Sequence, residues 1–338
     1  MTRPRAVVVG LAGRTLGADE RRLLAREQPL GVILFKRNVE NPAQLRRLTR
    51  AVRAALGREG APVLVDQEGG RVQRLGPPHW RAWPPARRLG VLAERDRPAG
   101  IAAAHTLARR IALDLVAVGI DWVCAPLLDL ALVETHAAIG DRAYADDPEL
   151  VAALGRAAVD GFLAGGVVPI VKHAPGHGRA RLDPHLALPT VDAPLATLAA
   201  ADFRPFAALA DAPAAMTAHV VYTALDPAGP ASCSSAVVDA ILRRRLGLTA
   251  LLFSDDVDMG ALAGPVDRRV AAVLAAGNDV ALQCNGIRAD LERALASAPP
   301  LSDAALARFE AARRRRAGLT ENAADRRALD QRLAASLG

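Results

Sequence analysis

The chain has 338 residues, of which 51% are hydrophobic and 23% are charged, a balance that excludes a disordered chain and allows a large buried core. The formal net charge of +7 comes with only 3% aromatic residues, so it does not indicate a nucleic-acid surface on which bases stack. Since no uncharged apolar run approaches the roughly 20 residues of a membrane helix, and Cys124, Cys233 and Cys284 form no CxxC pair, we expect a cytoplasmic protein that binds neither membrane nor nucleic acid.

Eight short apolar runs, many of them rich in β-branched residues, recur along the chain. Most are continuous rather than alternating, as is typical of strands that are buried on both faces of a parallel sheet. We predict strands at residues 6–13, 31–36, 62–66, 122–130, 169–173, 214–222, 250–255 and 279–284.

Segments with apolar residues at helical spacing lie between these runs. The clearest helix start is Asp147 followed by Pro148, because a capping side chain and a first-turn proline favour the same boundary. Asn41 is a second candidate cap. We predict helices at residues 42–56, 101–118, 149–164, 195–210, 236–246, 268–276, 287–297, 302–316 and 322–337.

The alternation of eight strands with helices predicts a (β/α)8 barrel of the TIM type, followed by C-terminal helices. A doubly wound open sheet is the alternative, but the first strand–helix turn lacks the GxGxxG pattern of dinucleotide-binding folds. No linker rich in Gly, Pro or Ser divides the chain, so we expect residues 1–338 to form a single catalytic domain. The proline-rich stretch 77–85 is expected to form a rigid loop at the barrel mouth.

Charged and polar residues cluster where five of the predicted strands end. Such groups are costly at the ends of buried strands unless they face a polar cavity or pair with one another. In a parallel barrel all the carboxyl ends of the strands meet at one face, where active sites are built. The pattern therefore predicts an enzyme active site formed by residues 66–71, 129, 139–142, 172–178, 183–185, 219 and 254–256.

These stretches resemble the motifs of glycoside hydrolase family 3, and most closely those of its bacterial cytoplasmic β-N-acetylglucosaminidases. The matches are VDQEGGRVQRL (65–75), IGDR (139–142), KHAPGHG (172–178), DPH (183–185), AHV (218–220) and SDD (254–256). The resemblance implies a retaining hydrolase that needs no cofactor or metal and removes β-linked N-acetylglucosamine. The small carbohydrate that it implies as substrate is N-acetylglucosaminyl-1,6-anhydro-N-acetylmuramic acid carrying a peptide, a product of cell-wall recycling, and we expect a monomer.

The resemblance also implies catalytic roles for three residues. Asp255 matches the nucleophile, which forms a covalent glycosyl–enzyme intermediate. Asp183 and His185 match an acid/base pair, and two residues at i and i+2 of an extended segment point the same way, so these side chains can meet. The family usually has Ser or Thr between them, whereas Pro184 here removes a backbone donor and stiffens the loop.

Five further residues match the sugar-binding positions of the family. A carboxylate can accept two hydroxyl donors from a pyranose, while Arg and Lys side chains donate to sugar oxygens. The alternative reading is that these charges form ion pairs that hold the strand ends together. The five residues are Asp66, Arg74, Arg142, Lys172 and His173.

Other functions are compatible with the same residues. His173 and His177 have the i, i+4 spacing of some metal ligands, although Pro-Gly at 175–176 disfavours a helix there. A histidine acid repels phosphate less than a carboxylate does, so a phosphorylase that acts at the same site is an alternative. Another family 3 glycosidase and a non-catalytic barrel that binds amino sugars are further alternatives. The roles of Asp256, His177 and His219 are left open.

Overall fold

Eight parallel strands close into a barrel in the computed structural model, which describes residues 3–316 and 323–337. Each strand pairs with the next one along the chain, and the last pairs with the first. This architecture confirms the predicted (β/α)8 fold. The barrel strands are β1 (Arg5–Gly10), β2 (Pro29–Leu34), β3 (Val63–Val65), β4 (Trp122–Val123), β5 (Val168–Ala174), β6 (Ala214–Thr217), β7 (Leu251–Asp256) and β8 (Val280–Gln283).

The helices surround the barrel, and two of them start at the caps predicted from the sequence. Asn41 accepts the backbone N–H of Gln44 at 2.9 Å, and Asp147 accepts that of Glu149 at 3.0 Å. The α-helices are α1 (Ala18–Glu27), α2 (Pro42–Leu56), α3 (Ala86–Arg95), α4 (Arg97–Val116), α5 (Pro148–Ala164), α6 (Leu195–Ala200), α7 (Arg204–Ala208), α8 (Val266–Ala275), α9 (Arg288–Ser297), α10 (Asp303–Arg314) and α11 (Ala323–Leu337), and Ala236–Arg245 forms a π-helix.

Short elements at the carboxyl ends of the strands complete the structure. A two-stranded hairpin follows β3, and a second pair of short strands joins the loops after β5 and β6. Three 3₁₀ turns lie in the loops that follow β2, β4 and β6. The hairpin is Gln67–Gly69 with Val72–Gln73, the parallel pair is Thr190–Val191 with Val221–Tyr222, and the turns are Lys36–Asn38, Gly140–Arg142 and Ala231–Cys233.

Several predicted boundaries were wrong, each for a local reason. The strand expected at 122–130 is regular only over Trp122–Val123, because Pro126 cannot donate to the sheet. The strand expected at 214–222 ends at Thr217, because Val221–Tyr222 pair with Thr190–Val191 in a separate two-stranded sheet instead of continuing the barrel. The helix expected at 195–210 divides in two because Pro205 lies in the first turn of a new helix. Helices α1 and α3 were not predicted, and position 322 of the last predicted helix lies outside the described residues.

The barrel interior is packed with side chains rather than hollow. Val8 and Phe253 point inward, whereas Val7 packs outward against the helices, as the alternation of strand side chains requires. Helix α10 closes the amino-terminal end, where the ring of Phe309 stacks on Trp122 with centroids 5.8 Å apart. The open end is therefore the one at which the strands finish. In the described part of the chain, no helix has both the length and the apolar surface needed to cross a membrane.

Candidate active site

A cavity opens at the carboxyl ends of the strands, with an empty volume of about 750 Å³. Seven of the eight residues predicted for the site line this cavity. The eighth, Asp183, is hydrogen-bonded to His185, which is one of the seven. The polar part of the lining and the proline beside it are Asp66, Arg74, Arg142, Lys172, His173, His177, Pro184, His185, Asp255 and Asp256.

Asp255 lies near the end of β7 with its side chain almost fully buried. One carboxylate oxygen accepts the backbone N–H of Asp256 at 2.8 Å, and the other lies 3.9 Å from Nε2 of His173. Burial alone would raise the pKa of this carboxyl, but the electrostatic influence of His173 and His219 outweighs it and lowers the pKa below its ordinary value. Asp255 is therefore an anion at neutral pH.

His173, at the end of β5, is oriented by Asp129, a buried carboxylate that follows β4. Asp129 accepts the ring Nδ1–H of His173 at 2.7 Å, and its other oxygen accepts the backbone N–H groups of His173 and His177 at 3.2 and 2.7 Å. Burial acts to raise the pKa of Asp129, yet these donors lower it to about 2. The ring is thus held with Nε2 toward Asp255.

Lys172, the residue before His173 on β5, is the centre of a buried charge network that lines the same cavity. Its ammonium lies 3.1 Å from Asp66 and 2.7 Å from Glu68, with the side chain only 3% exposed. Burial would lower the pKa of Lys172, but the two carboxylates raise it well above its ordinary range. The second oxygen of Asp66 accepts from Arg74 at 3.0 Å.

Arg142 completes this network through a fork of two hydrogen bonds to Glu68. Its Nε and Nη2 donate to the two carboxylate oxygens at 2.8 and 2.9 Å. Glu68 therefore accepts from two buried cations, and their charges outweigh the effect of burial, so that its pKa is lowered. Together Asp66, Arg74, Arg142 and Lys172 line the cavity with donors and acceptors suited to sugar hydroxyls, and Glu68 pairs with two of these cations.

His185 lies on the loop that follows β5, at the rim of the cavity. Its Nδ1 is 2.7 Å from Oδ1 of Asp183, which also accepts the backbone N–H of His185 at 2.9 Å. These bonds, together with the charge of His185, outweigh burial and lower the pKa of Asp183, so the carboxylate stays charged and holds Nδ1–H. The imidazole is 63% exposed, which leaves Nε2 free to exchange protons with a ligand or with water.

Two backbone hydrogen bonds hold this loop against the segment that follows β7. The carbonyl of Pro184 accepts the N–H of Ala261 at 3.0 Å, and the carbonyl of His185 accepts the N–H of Gly260 at 3.2 Å. Pro184 itself is buried in the cavity wall. The contact at position 184 is thus made by the carbonyl group, which proline retains, and not by the backbone donor that it lacks.

The structure also shows the contacts of the three residues whose roles the sequence left open. His219 does not line the cavity; its Nε2 donates to the carbonyl of Asp256 at 3.0 Å, and its Nδ1 accepts from Ser232 at 2.6 Å. Asp256 does line the cavity, and burial beside Asp258 raises its pKa well above the ordinary value. His177 also lines the cavity, with its ring against that of His173.

Sequence reasoning missed two residues of the site, Glu68 and Asp129. Both belong to the polar clusters at the strand ends, but neither was assigned a role. The sequence could have indicated both residues, because each is a carboxylate next to a buried strand, and a buried carboxylate requires a partner. In the described residues no group of three or more His, Cys, Asp or Glu side chains is arranged to hold a metal ion, and Nδ1 of His173 is bound to Asp129.

Sequence comparison places this site in a known family. The glycosyl hydrolase family 3 N-terminal domain matches residues 7–315. The beta-hexosaminidase of Alkalilimnicola ehrlichii is 42% identical over 312 residues, which cover 90% of this chain and 88% of that protein. The beta-hexosaminidase of Xylella fastidiosa strain 9a5c is 43% identical over 285 residues, or 82% of this chain and 83% of the relative.

Solved structures are similar over nearly the whole chain. NagZ from Neisseria gonorrhoeae, in complex with N-trifluoroacetyl-D-glucosamine, has a TM-score of 0.87 at 32% identity and covers 99% of this chain and 98% of its own. A family 3 β-N-acetylglucosaminidase from Paenibacillus has a TM-score of 0.84 at 30% identity, covering 98% of this chain and 67% of its own. These similarities confirm the resemblance found in the sequence: the chain belongs to glycoside hydrolase family 3, among its β-N-acetylhexosaminidases of the NagZ type.

Proposed function

We propose that the protein hydrolyses terminal β-linked N-acetylglucosamine with retention of configuration, through a covalent intermediate on Asp255. The observation that carries the proposal is that the buried anion of Asp255 and the Asp183-bound imidazole of His185 belong to one cavity. Their separate environments suit separate roles, because one group stays charged while the other is free to exchange a proton.

In the first step, a carboxylate oxygen of Asp255 attacks the anomeric carbon, and the bond from that carbon to the leaving oxygen breaks. Protonated His185 gives its Nε2 proton to the leaving oxygen, so the aglycone departs as a neutral alcohol. Asp183 stabilises the imidazolium before transfer and holds Nδ1–H throughout. The sugar is left as an ester on Asp255.

In the second step, the roles of the imidazole reverse. Neutral His185 takes a proton from water through Nε2, and the water oxygen attacks the anomeric carbon while the bond to Asp255 breaks. The products are the free sugar and the carboxylate of Asp255, and the imidazolium is restored for the next cycle. The network of Asp66, Arg74, Arg142 and Lys172 holds the sugar hydroxyls during both steps.

The natural substrate that we propose is N-acetylglucosaminyl-1,6-anhydro-N-acetylmuramic acid carrying a peptide. Support comes from the similarity to NagZ, which was solved with an N-acylated glucosamine. We further propose that the whole chain acts as one catalytic domain, that the protein works as a monomer, and that it meets this substrate in the cytoplasm during cell-wall recycling.

Trapping the intermediate tests the proposal. An activated fluorinated N-acetylglucosamine slows the second step, so mass spectrometry of the digested protein should find the sugar on Asp255. Asp256→Asn is the matched control, because it removes the neighbouring carboxylate and should still be labelled, whereas Asp255→Asn should not. A label on another residue would overturn the nucleophile assignment. Absence of turnover of a chromogenic N-acetylglucosaminide, together with tight binding of the sugar, would favour a non-catalytic barrel.

A further inference from the structure

Arg269, on the first turn of α8, is a half-buried residue to which the proposed chemistry gives no role. Its Nη1 donates to the carbonyl of Val257 at 2.9 Å and to that of Met259 at 3.2 Å. Its Nε donates to the carbonyl of Gly264 at 2.8 Å. These carbonyls all belong to the turn after β7, which comprises residues 257–264. One planar guanidinium therefore holds three points of a single turn in a fixed arrangement.

The turn after β7 connects the two groups on which the proposed mechanism depends. Strand β7 ends one residue beyond Asp255, and the turn starts there. The N–H of Gly260 donates to the carbonyl of His185 at 3.2 Å, and the N–H of Ala261 donates to that of Pro184 at 3.0 Å. The loop of His185 therefore rests on this turn. The distance between the imidazole and the carboxylate accordingly depends on the shape of the turn.

Arg269 holds the part of the turn that supports the loop of His185. The first two residues of the turn, 257–258, are hydrogen-bonded to the end of β8. The two residues that support the loop come after them in the chain. They lie between Met259 and Gly264, two of the three residues whose carbonyls Arg269 binds. The side chain of Arg269 thus fixes both ends of the stretch on which the loop rests.

We propose that Arg269 is a positioning residue for proton transfer by His185. Its side chain does not line the cavity, so it acts on the reaction through the turn after β7. By holding the turn, it keeps Nε2 of His185 at the distance from the leaving oxygen at which a proton can pass. A misplacement of about 1 Å can cost about 100-fold in rate. The inference rests on the function proposed above, because it needs His185 as the acid.

The substitution Arg269→Met tests the inference, because methionine keeps an unbranched apolar side chain and removes the donors. The measurement uses aryl N-acetylglucosaminides of graded phenol pKa. We expect kcat/KM to fall about tenfold for poor leaving groups and to stay within about twofold of wild type for acidic phenols. Labelling of Asp255 by the fluorinated sugar should persist. Arg269→Lys keeps the charge without the planar fork, so its loss should be intermediate, and it gives the same readout if the Met variant does not fold.

Arg243→Met is the matched control, because Arg243 makes similar bonds at the opposite end of the same strand. It donates to the carbonyls of Leu248 and Ala250, just before β7, at 2.9 and 2.7 Å. Its loss should lower the melting temperature but leave the dependence of kcat/KM on the leaving group as in wild type.

An Arg269→Met variant that loses activity equally across the series, or not at all, would overturn the inference. The same profile in both Met variants would also overturn it, because stability alone would then explain the loss. His185→Ala separates this failure from that of the proposed function. If His185→Ala shows no dependence on the leaving group, the acid role itself fails.

Discussion

Asp129 holds the ring of His173 by a 2.7 Å hydrogen bond. Both residues are buried, so water does not compete for this bond. The same carboxylate accepts two backbone N–H groups from the chain that follows β5. One side chain after β4 therefore fixes both the position of this segment and the direction of an imidazole that faces Asp255. The arrangement has a measurable consequence for stability.

Asp129 should make the protein sensitive to acid. Its pKa of about 2 lies below the ordinary value of 3.8, so the folded state binds a proton less readily than the unfolded chain. The stabilisation is complete above pH about 4 and is lost as the pH falls toward 2, for a total of about 2 kcal/mol. Urea unfolding between pH 6 and pH 2.5 should show a shallower loss in Asp129→Asn. Asp303→Asn, at an exposed pair, should keep the wild-type slope.

Removing the charge of Glu68 should destabilise the fold and weaken sugar binding. The substitution Glu68→Gln leaves Arg142 and Lys172 buried with one carboxylate fewer, and breaking a buried ion pair costs about 3–5 kcal/mol. Denaturant unfolding should show this loss, and KM for a chromogenic N-acetylglucosaminide should rise. Asp141→Asn breaks the exposed pair with Arg71 and should cost less than about 1 kcal/mol. Similar losses in both variants would contradict the role given to burial.

His185→Ala should slow the first step most for substrates whose leaving oxygen most needs a proton. Substrates with poor leaving groups should lose about 100-fold or more in kcat/KM, while those with acidic phenols as leaving groups should lose much less. A series of aryl N-acetylglucosaminides of graded phenol pKa provides the measurement. Asp183→Asn should shift the series in the same direction by a smaller amount. Equal losses across the series would rule out the acid role.

Gly260→Ala should disturb the loop of His185 without touching Asp255. A Cβ at position 260 would lie 2.7 Å from the carbonyl oxygen of His185 and 3.1 Å from that of Leu186, so the loop must shift. We expect about tenfold lower kcat/KM for poor leaving groups, since misplaced acid groups lose effectiveness steeply. Labelling of Asp255 by the fluorinated sugar should remain. Gly229→Ala, where nothing lies within 4 Å, should behave as wild type.

The fold was predictable because its signals are local. Continuous apolar runs mark strands buried on both faces, and the Asp147–Pro148 pair marks a helix start, so the alternation of eight strands and helices is legible. Two elements failed for equally local reasons. Pro126 interrupts a run that is apolar enough for a longer strand, and Pro205 starts a new helix inside one continuous helical pattern.

The site was predictable to the extent that its residues belong to contiguous motifs. Asp66, Lys172, His173, His185 and Asp255 all line one cavity, as their motifs indicated. The partners of these residues could not be read in the same way, because pairing joins distant positions. Glu68 and Arg142 are 74 residues apart, and only the closed barrel brings them within hydrogen-bond distance.

The two backbone hydrogen bonds from 184–185 to 260–261 have a consequence for protein engineering. They join the loop of His185 to the turn that follows the strand of Asp255, although the bonded residues are 75 and 77 positions apart in the sequence. A chimera that takes the loop of a relative without that relative's turn after β7 would pair two stretches whose backbone groups are not positioned for these hydrogen bonds. A chimera that exchanges both stretches together keeps the two hydrogen bonds and should therefore keep the loop in place.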